Sequence, residues 1–186
     1  MKVTPRAYIF GLSFFLCACG MKEETAVIPP PVAQDGPPVA VSVSPSSGSG
    51  SAQDFTIKFS RPGGYRQLSD IRLLINAEAD GAHACYVYYS VPTGSVMLVN
   101  DSGEGSTAVA LEGGAAVENS QCTVLTKGAS AKGEGTDISV TLPIRFKPKF
   151  AGAKKLFLYA EAANGAKSDM VAKGVFEPTA AAATAK

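Results

Sequence analysis

The chain has 186 residues, a net charge of +1, a single histidine, no tryptophan and 46% apolar residues. That length is enough for one domain with a real core. The balanced charge leaves no electrostatic footprint for nucleic acid, and one histidine restricts the acid–base devices available.

The first twenty residues read MKVTPRAYIFGLSFFLCACG. Lys2 and Arg6 form a short basic region, and Tyr8 to Leu16 is an apolar run of nine residues interrupted by Gly11 and Ser13. Crossing a ~30 Å hydrocarbon core as a helix takes about 20 residues, so the run suits the core of an export signal. It closes on Leu16-Cys17-Ala18-Cys19, which resembles the bacterial lipobox. Small Ala18 precedes Cys19 and fits the cleavage position, whereas bulky Leu16 precedes Cys17 and does not. The resemblance implies removal of residues 1–18 and acylation of Cys19, which would hold the mature chain on a membrane by its lipid. One acyl chain is a marginal anchor and two or three are firm, because each buried CH₂ contributes ~0.8 kcal/mol. Losing Lys2 and Arg6 takes the 17 basic residues to 15 against 16 acidic ones, a mature charge of about −1. Gly20, in place of Asp after the lipid cysteine, resembles lipoproteins sent to the outer membrane.

Residues 19–38 carry five prolines and no alternation. Pro-rich chain stays extended at about 3.1 Å per residue, so this stretch predicts a linker. Residues 39–178 alternate with a period of two almost throughout. Val39, Val41 and Val43 predict a strand, and Pro45-Ser46-Ser47-Gly48-Ser49-Gly50 a turn. Phe55, Ile57 and Phe59 predict the next strand, broken by Arg61-Pro62-Gly63-Gly64. Ile71, Leu73 and Ile75 follow, then Ala84 to Tyr89, Val96 to Val99 and Cys122 to Leu125. Ile138, Val140, Leu142, Ile144 and Phe146 give the clearest alternation. Pro143 within it lacks an N–H, which predicts an edge strand or a bulge. Leu156 to Ala160 and Val171 to Phe176 complete the set. About nine short strands with turn signals between them predict an all-β, antiparallel sandwich. Residues 179–186 form an Ala-rich tail with no pattern to dock, read as disordered.

Cys85 and Cys122 are the two cysteines left in the domain. In an exported chain they predict a disulfide, closing a loop of about 37 residues at roughly 4 kcal/mol by the chain-entropy estimate. A zinc pair is the alternative, and two thiols with only His83 nearby make a poor set for it.

Several local signatures occur together: Val43-Ser44-Pro45-Ser46-Ser47-Gly48-Ser49-Gly50, Phe55 to Ser60, Ile75-Asn76, Ala84-Cys85-Tyr86-Val87-Tyr88-Tyr89 and Val99-Asn100-Asp101-Ser102-Gly103. Asn119-Ser120-Gln121-Cys122-Thr123-Val124 and Phe146-Lys147-Pro148-Lys149-Phe150-Ala151-Gly152-Ala153-Lys154 follow. Over roughly residues 39–177 the combination resembles an immunoglobulin-like sandwich module of exported proteins from acidobacteria and other environmental bacteria. The resemblance implies that fold, export and a paired Cys85–Cys122, and it carries no catalytic residue. The sequence departs from the module in having no tryptophan. Val175-Phe176 stands where the last one would be.

No catalytic constellation emerges. His83 sits at the start of a strand beside a bridge cysteine and reads as an edge residue. Asp101, Glu104, Glu112 and Glu118 show no spacing that marks a carboxylate pair. Asn100 to Glu104 offers oxygens but lacks the spacing of a calcium loop, and Asn-Asp-Ser-Gly is what a plain turn requires. No metal and no cofactor are implied. On a strand, Tyr86 and Tyr88 point away from the face of Cys85, about 7 Å apart. They are the candidate ligand-binding residues. The chain therefore predicts a non-enzymatic, lipid-anchored envelope lipoprotein serving as an interaction or structural module. The alternative is a carbohydrate-binding module using Tyr86 and Tyr88.

Overall fold

A strand forms where alternate side chains can be buried, and this chain supplies that pattern repeatedly. The computed structural model describes residues 35–180. The signal segment 1–18, Cys19, the linker up to residue 34 and tail positions 181–186 lie outside the described residues. In chain order the strands are β1 (Val39–Ser44), β2 (Ser47–Gly50), β3 (Ala52–Ser60), β4 (Leu68–Asn76), β5 (Cys85–Ser90), β6 (Ser95–Val99) and β7 (Ser106–Ala110). They continue as β8 (Ala116–Glu118), β9 (Cys122–Leu125), β10 (Ser130–Glu134), β11 (Asp137–Phe146), β12 (Lys154–Ala162) and β13 (Val171–Pro178). Only two short 3-10 turns, Tyr65–Gln67 and Pro148–Phe150, break the all-β content of the described residues.

Two sheets face each other. One runs β1-β3-β11-β9-β8, with β10 also paired to β11, and the other runs β2-β13-β12-β4-β5-β6-β7. Inward residues from both form one core, among them Phe55, Ile57, Phe59, Val140 and Leu142 against Ile71, Leu73, Ile75, Leu156 and Leu158. Phe176 is buried edge-on against Phe55 with ring centroids 5.2 Å apart.

The expectation of about nine strands is corrected to thirteen among the described residues. The four additional ones are β2, β7, β8 and β10, and between them they bury one side chain, Val117. They line the flanks of the sheets, where backbone pairing makes a strand without a buried face. Uniform antiparallel pairing is also corrected, because β2 pairs with β13 in parallel. After Ser44 the chain changes sheets and keeps its direction, which brings β2 alongside β13 with the same polarity.

Two local expectations change. Val39 and Val41 are exposed while Ala40 and Val43 face the core. The register steps from Ala40↔Phe59 to Ser42↔Lys58, a bulge that inserts one residue and turns the alternation over. Pro143 lies in a central strand without a bulge: β11 pairs with β3 in unbroken register from Asp137↔Ser60 to Arg145↔Ala52. On its other flank β10 stops at Thr141 and β9 begins at Ile144, so Pro143 sits at the break between two neighbours. The missing donor is accommodated by that gap.

Candidate functional site

The disulfide is present. Cys85 of β5 and Cys122 of β9 are bonded, with Cα atoms 5.6 Å apart, and the bridge joins the two sheets. Asn119 reinforces this joint. Its Nδ2 donates to the carbonyls of Ala84 and Val99 at 2.9 Å each, and its Oδ1 accepts from the N–H groups of Gln121 and Cys122 at 2.9 Å each. Asp101 completes the joint by accepting from the backbone N–H of Ser120 at 3.0 Å and from its hydroxyl. Those bonds to Ser120 hold the Asp101 carboxyl below its usual range.

The remaining loop candidates do not converge. Asn100 Oδ1 accepts from the Ser102 hydroxyl at 2.8 Å and the Asp101 carboxylate is taken by Ser120, so these side-chain oxygens are already engaged. Glu118 pairs with Lys147 at 2.7 Å, which lowers its pKa. His83 is exposed on the turn before β5, at φ 52°. Among the described residues no three His, Cys, Asp or Glu side chains gather in a metal-binding group.

Tyr86 and Tyr88 do lie on the outer face of the larger sheet, but the open platform that their alternation predicts is corrected. Tyr86 is 8% exposed and belongs to a second apolar cluster with Leu74, Ala84, Val99 and Phe157. The segment between β4 and β5 folds back over it. Asn76 Nδ2 donates to the Asp80 carbonyl at 2.9 Å, and a Cβ on Gly81 would stand 3.1 Å from the Tyr86 ring. The two tyrosine rings meet edge to face with centroids 4.7 Å apart.

Arg72 of β4 organises what remains open. Its cross-strand neighbours are Tyr88 on β5 and Tyr159 on β12, and its guanidinium lies 4.2 Å and 4.8 Å from their ring centroids. Arg72 donates through Nε and Nη2 to both oxygens of Asp70, and its Nη2 reaches Glu161 at 3.4 Å. Burial disfavours the guanidinium charge, but hydrogen bonding, first to Asp70, outweighs this and raises its pKa. Burial, then the contact with Tyr86, pushes the Tyr88 phenol above its usual range. The face thus presents two half-buried rings held around a fixed cation, with carboxylates at its margin. A cation held by carboxylates and rings in this way has its hydrogen-bonding directions already committed.

Sequence reading singled out Tyr86 and Tyr88 and passed over Arg72, Asp70, Tyr159 and Glu161. A signal was there: with Ile71, Leu73 and Ile75 facing inward, Asp70, Arg72 and Leu74 must face outward. Their meeting with β12 needed the strand order. No protein-family model, curated protein or solved structure matches the chain.

Proposed function

We propose that this protein is a bacterial lipoprotein, anchored through acylated Cys19 and most at home on the outer membrane, whose immunoglobulin-like sandwich is a non-enzymatic interaction or structural module. The observation that carries the reading is Leu16-Cys17-Ala18-Cys19 closing an apolar run behind Lys2 and Arg6. The Cys85–Cys122 bridge supports it, because such bonds persist in oxidising compartments.

Strand order supports the immunoglobulin-like part. Variable-type domains pair an edge strand split between both sheets with two extra strands beyond the third of the larger sheet. Apart from β7, β8 and β10, which lie outside it, the orders β1-β3-β11-β9 and β2-β13-β12-β4-β5-β6 agree with that plan. The bridge departs from it. Antibody domains link the strands corresponding to β3 and β12, which here carry the fully buried apolar residues Ile57 and Leu158. Kinship with the exported module of acidobacteria and other environmental bacteria is part of the same proposal.

The test is a Cys19→Ser variant in a bacterial host. Loss of membrane fractionation and of the acyl mass increment is the expected result. Normal maturation and membrane retention would overturn the anchor.

A second reading, carbohydrate binding, is favoured by the rings of Tyr88 and Tyr159 flanking Arg72 on an open sheet face. It moves the platform from buried Tyr86 to Tyr159. Binding of the parent to cell-wall polysaccharide, abolished in a Tyr88→Ala/Tyr159→Ala variant, would support it. A parent that binds none would end it.

A further inference from the structure

Arg61, immediately after β3, is 1% exposed and heads the fully buried side chains by size among the described residues. A buried cation without partners is strongly destabilising, so its acceptors define what it is for. Its backbone is used by the loop: its N–H donates to the Thr136 carbonyl at 2.9 Å and its carbonyl accepts from Gly64 at 3.0 Å. The side chain finds its acceptors elsewhere. Nη2 donates to Asp35 Oδ1 and Nη1 to the Gly36 carbonyl, while Nε has no partner among the described residues. Asn164, between β12 and β13, donates from Nδ2 to the other oxygen of Asp35 at 3.2 Å.

The geometry of the segment before β1 suits this contact. Gly36 lies against Pro62, where a Cβ would come within 3.2 Å of Cγ, so a residue without one allows the close approach. Pro38 is buried. Residues 35–38, expected as part of the linker, are therefore held by the sandwich. Asp35 itself is 57% exposed and is ordered by Arg61 and Asn164 rather than by burial.

We infer that Arg61 and Asn164 form a carboxylate-binding site whose ligand is Asp35, and that this site fixes where the amino-terminal segment leaves the sandwich. Both side-chain hydrogen bonds of Arg61 among the described residues end on residues 35 and 36, so releasing the segment would leave its guanidinium without those acceptors. The latch precedes β1, which among the described residues is an edge strand paired only to β3. On the lipoprotein reading, on which this consequence rests, tension from the lipid meets Arg61 before it can peel β1 from the sheet.

Hydrogen exchange on the full chain tests the latch. In Asp35→Ala the amides of Val39–Ser44 should exchange about tenfold faster or more, while Leu156 to Ala160 keep parental rates. Asp35→Asn should fall between, and Asn164→Ala should show a smaller increase of the same kind. Parental rates in β1 would overturn the inference, and so would a uniform increase across all strands, which would mark a global loss of stability. The readout does not depend on acylation, so a failed latch leaves the lipoprotein reading standing and an unmodified Cys19 leaves the latch standing.

Discussion

Asn119 donates from Nδ2 to the carbonyl of Ala84, one residue before the bridge cysteine Cys85, at 2.9 Å. The same side chain accepts from the N–H of the other cysteine, Cys122. One amide thus holds both arms of the disulfide. Asn119→Ala should lower unfolding stability by about 2–4 kcal/mol, since four hydrogen bonds are lost at roughly 1 kcal/mol each net. Asn119→Asp should also destabilise, because a carboxylate offers no N–H to Ala84 or Val99. Urea denaturation with the bridge intact measures both. A loss within error of zero would show that the loop does not need this side chain.

The bridge itself closes a separation of 37 residues. A Cys85→Ala/Cys122→Ala variant should lose roughly 4 kcal/mol by the chain-entropy estimate. In the parent, alkylation before reduction should leave both sulfurs unlabelled, and alkylation after reduction should label two more thiols. Intact mass reads the difference.

Arg72 touches Tyr88, Tyr159, Asp70 and Glu161. Arg72→Ala should cost about 1–3 kcal/mol, from two lost cation–π contacts and two carboxylates left facing each other. Arg72→Lys should recover only part, because an ammonium lacks the flat fork that meets both oxygens of Asp70. Thermal melting orders the three proteins. Equal melting of Lys and Arg forms would argue for charge alone.

Stability should fall at both ends of the pH scale. Hydrogen bonds from Ser120, Lys147 and Lys58 hold Asp101, Glu118 and Asp137 below their reference values of 3.8, 4.5 and 3.8. As pH drops, the unfolded chain therefore takes up protons first. The stabilisation is complete above about pH 5 and is lost as pH falls through the folded pKa values. Tyr88 and Tyr89 are shifted upward from 10.0, chiefly by burial. Their contribution is complete below about pH 10 and is lost as pH rises above it. Melting temperature against pH should show both limbs, with Asp101→Asn flattening the acid one and Tyr88→Phe the alkaline one.

Legibility in the sequence followed burial. Each of the nine expected strands carries residues that must face the core, and alternation exposes that need directly. β7 and β10 have no buried residue, so their Ser-Thr-Ala-Val-Ala and Ser-Ala-Lys-Gly-Glu sequences look like loop. They are strands because β6 and β11 offer open backbone groups. Alternation also misjudged β1, where one inserted residue at the bulge reversed which valines face inward.

The candidate site was half visible. That Tyr86 and Tyr88 leave the core face follows from the two-residue period alone. Whether either meets solvent depends on Asn76 and Gly81 folding the next segment over Tyr86, a contact of a connecting segment with a strand that alternation does not encode.

The amino-acid order by itself determined the all-β class, the inward face of most strands and the pairing potential of the two cysteines within the domain. These are properties of local period and composition. Only the tertiary structure decided which strands adjoin, and hence that Arg72 lies between Tyr88 and Tyr159, that Asn119 grips both ends of the bridge, and that Arg61 holds Asp35. Those contacts join residues far apart in the chain, and their partners are chosen by how two sheets stack and where edges remain open.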